Sequence, residues 1–121
     1  MAHKTFINQL IFIPRKSTAE ATVTSTALTN VRVTAFFSGP GIPAGHSAKH
    51  PRAFNRTWSN SMNQAGGYTL IVDVDFLGKA SAVADLRVVT PAGTVFMSPW
   101  TVPIAGVAGD FFTFSYGLAV L

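Results

Sequence analysis

The stretch "YTLIVDVDF", residues 68–76, decides the fold class. Successive side chains of a β-strand point to opposite faces. Tyr68, Leu70, Val72, Val74 and Phe76 therefore share one face, and Thr69, Ile71, Asp73 and Asp75 share the other. This period of two predicts a strand with one face in a core and one towards solvent. The same period recurs on both sides of it. In "NVRVTAFF", residues 30–37, Val31, Val33, Ala35 and Phe37 point inward, and Arg32 and Thr34 outward. In "DFFTFSYGLAVL", residues 110–121, Phe112, Phe114, Tyr116, Leu118 and Val120 alternate with Thr113, Ser115, Gly117 and Ala119. That pattern runs to the final residue, so the C-terminus is expected inside a sheet.

Other segments fit the same class. "FINQLIFIP", residues 6–14, sets Phe6, Asn8, Leu10 and Phe12 against Ile7, Gln9, Ile11 and Ile13. Both faces turn apolar towards its end, which predicts a strand covered on both sides there or lying at a contact. "AEATVTSTAL", residues 19–28, is Thr-rich, and Thr suits a solvated pleat. It is expected to pair with "NVRVTAFF" through a turn near Thr29 and Asn30. "ADLRVVTPAGTVFMSPW", residues 84–100, reads as a hairpin, because Pro followed two residues later by Gly is turn chemistry. A short strand and a loop are expected in "WTVPIAGVAG", residues 100–109.

Seven or eight short strands with Gly/Pro turns predict an all-β fold. The expected architecture is a small antiparallel β-sandwich or jelly-roll-like domain, with residues 1–121 as a single domain. The alternation breaks down only in "GPGIPAGHSAKHPRAFNRTWSNSMNQAGG", residues 39–67. That segment is expected to be one long loop, with a short helical turn in "TWSNSMNQ" that Ser59 or Asn60 would cap.

Composition narrows the function classes. Hydrophobic residues make up 48% of the 121-residue chain and charged residues 12%, about half the charged share of ordinary soluble domains. Such a chain can bury a core and has apolar surface left for a partner. It contains no Cys, which favours folding in a reducing cytoplasm. The start, "MAHKTFINQLIFIPRKS", is not read as a signal peptide, and no run reaches the length of a membrane span. The net charge of +4 comes from scarce acids. No acid occurs between Glu20 and Asp73, whereas Arg32, Lys49, Arg52 and Arg56 fall in that span.

Residues 39–67 carry the candidate partner-binding set: His46, Lys49, His50, Arg52, Phe54, Arg56 and Trp58. His46 and His50 have the spacing of two metal ligands on a helix, but Gly45 and Pro51 flank them and Cys is absent. Ser47 beside His46 is not triad geometry. "GPGIPAG" loses amide donors to two prolines, so it reads as a stiffened bend and not as a phosphate cradle. Asp73 and Asp75 share a face and are expected to pair across strands with Arg32 or Arg87. Bases mixed with aromatics resemble the chemistry of single-strand nucleic-acid grooves, yet the bases are too sparse for a dedicated one. Arg and Trp are also common interface anchors, and an arm that docks on a neighbour is the favoured reading.

These readings lead to a non-enzymatic structural protein that needs no cofactor or metal. The expected setting is a virion: a capsid decoration (cement) or other capsid-associated protein of a bacteriophage, made in the host cytoplasm. Its expected partners are copies of itself, a trimer being one form considered, and a capsid or other virion protein. The alternative is a carbohydrate-binding, lectin-like β-sandwich, with Trp58, Trp100 and Tyr68 stacking on sugars and Asp73, Asp75 or Asn60 bonding hydroxyls. Binding of polyanions or nucleic acid through the basic segment ranks below both.

Overall fold

A computed structural model describes residues 3–42, 47–50, 54–93, 95–97 and 102–121. Ten strands and one short 3-10 turn, Leu28–Asn30, follow each other within them. The strands are β1 His3–Ile13, β2 Ser17–Ser25, β3 Val31–Ser38, β4 Ser47–His50 and β5 Phe54–Met62. They continue with β6 Gly66–Phe76, β7 Ala80–Val89, β8 Val95–Met97, β9 Val102–Gly106 and β10 Phe111–Val120. One five-stranded sheet has the order β1-β10-β6-β3-β4. The second has the order β5-β2-β7-β8, with β9 also on β7. The two inner faces share one hydrophobic core, so the all-β sandwich holds.

Strand β6 sits at the centre of the first sheet, flanked by β10 and β3. Its inward residues follow the alternation of "YTLIVDVDF" without error: Tyr68, Leu70, Val72, Val74 and Phe76 are all buried. The inward sets of β3 and β10 are buried as well. The two sheets contribute unequally to the core. All six buried aromatics among the described residues, Phe37, Tyr68, Phe76, Phe112, Phe114 and Tyr116, come from the first, while the second sets Ala19, Ala21, Ala82 and Ala84 among Val23, Met62, Val88 and Ile104. Large side chains from one layer thus fill the space that small ones leave in the other, as close packing of two sheets about 10 Å apart requires. Ring pairs within the first sheet add directional contacts. Phe6 stacks on Phe114 at 5.0 Å, and Phe112 meets Phe76 edge-on at 5.5 Å.

Several sequence expectations need correction. The Thr-rich segment and "NVRVTAFF" do not pair, because β2 belongs to one sheet and β3 to the other. The 3-10 turn Leu28–Asn30 carries the chain between them. Residues 39–67 are not one long loop, since β4 and β5 occupy much of the segment. No helical turn forms at "TWSNSMNQ"; residues 57–62 belong to β5. Both missed strands are sheet edges, held on one side only, by β3 and β2 respectively. β4 has only four residues, and the register between β2 and β5 shifts between Ala21 and Val23, which breaks any steady alternation. The 84–100 hairpin does form: β7 pairs with β8 from Val89↔Val95 to Arg87↔Met97, and Gly93 N–H donates to Thr90 O.

The first strand departs from antiparallel order, since β1 runs parallel to β10. Its register shifts between Leu10 and Ile13, and Phe12 takes φ 64°. This bulge inverts the alternation. Ile13 becomes fully buried and Phe12 is 65% exposed, which explains why both faces of the segment look apolar in sequence.

Tyr68 fastens the corner before β6. Its hydroxyl accepts from Gln64 N–H at 3.1 Å and points its single proton between Gln64 O at 3.0 Å and Pro40 O at 2.9 Å. A Tyr whose hydroxyl bonds backbone just upstream of its strand is a local fastening found in β-sandwiches. Gly39, at φ 155°, lies against the same ring, and a Cβ there would sit 2.8 Å from Tyr68 Cγ. Gly39→Ala should therefore cost roughly 2 kcal/mol, read as a lower urea midpoint with unchanged slope.

The Tyr116 phenol is raised well above its ordinary value, first by burial and second by the Asp85 carboxylate. The fold favours the neutral phenol. Its contribution is complete below the unfolded value near 10 and fades as pH rises above it. Urea midpoints between pH 8 and 11 should fall more steeply for the wild type than for Tyr116→Phe.

Candidate interaction face

The register of the first sheet fixes what its outer face carries. Residues out of phase with the core form rows across the strands. One row reads Ile7, Ser115, Ile71, Phe36 and Ser47, from β1 to β4. Ile7 is 72% exposed and Phe36 38%, with Ile71 half-buried between them. Single exposed apolar side chains are ordinary. A row of them across one flat face is the pattern of a contact surface.

The neighbouring rows are small or hydroxylated. On one side stand Gln9, Gly117, Thr69 and Ser38; on the other, Thr5, Thr113, Asp73, Thr34 and Lys49. The row beyond contains His3, Phe111, Asp75 and Arg32. Here the expected cross-strand pair forms, with Arg32 Nη2 3.2 Å from Asp75 Oδ2. Arg87 instead meets Glu20 at 2.6 Å on the outer face of the second sheet. That second face carries Thr22 opposite Asp85 and Thr24 opposite Val83 on the same two strands. Hydroxyls and the Glu20–Arg87 pair share this face with Val83, 37% exposed, and Pro103 opposite it.

Of the residues singled out in sequence, Lys49 and His50 lie on edge strand β4, opposite Thr34 and Val33. Phe54, Arg56 and Trp58 lie on edge strand β5, where Phe54 is opposite Val23 and Trp58 opposite Ala21. His46 and Arg52 fall outside the described residues, as does Trp100. The described members of the set are therefore divided between one edge strand of each sheet. The three residues between His50 and Phe54 span at most about 14 Å, which keeps the two basic edges on one side of the sandwich. Tyr68, suggested as a sugar-stacking ring, is buried and hydrogen-bonded at its corner.

The apolar row itself escaped the sequence reading. Its signal is present: Ile71 and Phe36 occupy solvent-side positions of otherwise regular strands. An apolar residue out of phase in a one-sided strand is informative, and the count of inward positions conceals it. Among the described residues no three His, Asp or Glu gather to hold a metal, and no helix is long and apolar enough to cross a membrane. Compared with known proteins, the chain matches no family model, no curated protein and no solved structure.

If the row serves contact and not folding, its removal should leave the subunit intact. In dilute solution Ile7→Ser should change unfolding free energy by less than about 1 kcal/mol, whereas Phe114→Ala should cost about 3–5 kcal/mol. Urea titrations of the two variants check this contrast.

Proposed function

We propose that this chain is a non-enzymatic structural protein, a subunit that works by associating with protein surfaces. The observation that carries the reading is the exposed row Ile7, Ile71 and Phe36 on the outer face of the five-stranded sheet. A flat sheet face with small neighbours at its flanks can exclude water over a wide contact, and the apolar row supplies the driving force. The basic edges add a second element. Lys49 on β4 and Arg56 on β5 give one edge strand of each sheet a basic residue, suited to an acidic protein surface.

A capsid-associated protein of a bacteriophage virion, of the decoration or cement kind, is the setting that best unites these features. The chain is Cys-free, sparing in charge and rich in apolar residues, as suits a protein folded in a reducing host cytoplasm and then buried in an assembly. Its action is passive: the core holds the subunit, the sheet face joins it to its neighbours, and the basic edges rest on the shell.

Light scattering coupled to size exclusion tests the reading. An associated species whose mass exceeds the 12.8 kDa subunit is expected from low micromolar concentration upward. A strict monomer at every concentration overturns it.

A further inference from the structure

We infer that the occupant of this sheet face is a second copy of the same face, packed about a two-fold axis that runs along the row Ile7–Ile71–Phe36. The inference rests on the association reading above and adds its stoichiometry and geometry. Size is the first argument. Five strands at ~4.8 Å are about 24 Å wide, and β10 from Phe111 to Ala119 is about 27 Å long. With β3 at eight residues and β4 at four, the footprint is about 550 Å² per copy, or about 1,100 Å² for a pair, above the roughly 1,000 Å² that a specific interface must clear.

Charge is the second argument. A face that meets itself must not set like charges opposite each other. Arg32 and Asp75 neutralise one another within the chain, and their row lies at the margin. Asp73 is the remaining carboxylate of the face, one row from the apolar one, in the row that ends at Lys49 on the edge strand β4. An axis along the apolar row lays that row on its own copy, apolar on apolar. It also lays the Asp73 row of one subunit on the Gln9, Gly117, Thr69 and Ser38 row of the other. Asp73 then faces the hydroxyl of a Thr and no second carboxylate. Any axis that set the Asp73 row on itself would bring two acids together and leave the apolar rows offset.

The same construction predicts the closest inter-subunit neighbours. Thr69 and Asp73 lie on the central strand β6, on either side of Ile71. Within one chain they are four residues apart, about 13 Å along the strand, too far for a direct ion pair. Across the axis they are opposite. Packing of this kind closes after two subunits, because both faces are consumed.

Sedimentation equilibrium of the full chain tests the proposal, with circular dichroism confirming that each variant is folded. The wild type should fit a monomer–dimer equilibrium. Thr69→Lys should tighten it about three- to tenfold by pairing with Asp73 of the second copy, and Asp73→Asn should erase that gain. Thr69→Asp should weaken it by at least tenfold, and Val83→Asp, on the other sheet, should leave it unchanged. An assembly of another stoichiometry, or one that responds to Val83→Asp and not to Thr69, overturns the two-fold arrangement while leaving association standing. A monomer throughout overturns both.

Discussion

The structure depends on an unequal match between its two layers. Phe37, Tyr68, Phe76, Phe112, Phe114 and Tyr116 on the inner face of the first sheet pack towards a second sheet whose described buried positions set Ala19, Ala21, Ala82 and Ala84 among Val23, Met62, Val88 and Ile104. Both layers must keep strict alternation for this to work, since a slip of one residue would turn aromatics to solvent and hydroxyls to the core. The central strand β6 sets the phase. It pairs over most of its length with β10 and β3, so its register propagates to both neighbours. The Tyr68 hydroxyl and the ring-on-glycine contact at Gly39 then hold the β6 entry against slippage.

The same constraint produces the outer face. Once the inward positions of β6 and β3 are fixed, Ile71 and Phe36 have no choice but to face outward, in line with Ile7 of β1. Ile7, 72% exposed, is the most exposed large apolar side chain among the described residues. The outer face of the opposite sheet carries Thr22, Asp85 and the Glu20–Arg87 pair, with the exposed Val83 and Pro103 beside Thr24. Association through the first face is supported by the alignment of Ile7, Ile71 and Phe36, from three strands, in one row.

Much of the fold is legible in the sequence, and the failures have specific causes. The strands β3, β6 and β10 bury one face and expose the other, so the period of two is printed in the residues. Strands β4 and β5 do not announce themselves because edge strands need less burial. Arg56 and Asn60 interrupt the alternation of β5, and its register against β2 shifts. The ambiguity at residues 10–13 had a physical origin in the Phe12 bulge. Sheet membership of β2 and β3 could not follow from periodicity, since each strand alone reads the same in either layer. The candidate set in residues 39–67 stands out by charge and aromaticity, and the structure distributes its described members over two edges. The apolar row was overlooked because its members come from strands far apart in sequence, brought into line only by register.

Hydroxyl-radical footprinting at low and high protein concentration tests the central claim most directly, because it reads the side chains of Ile7, Phe36, Val83 and Val107 in one sample. The account predicts that Ile7 and Phe36 lose reactivity as concentration rises, while Val83 and Val107 keep theirs. Protection of Val83 or Val107 with Ile7 and Phe36 unchanged, or no dependence on concentration at any of the four, would contradict it.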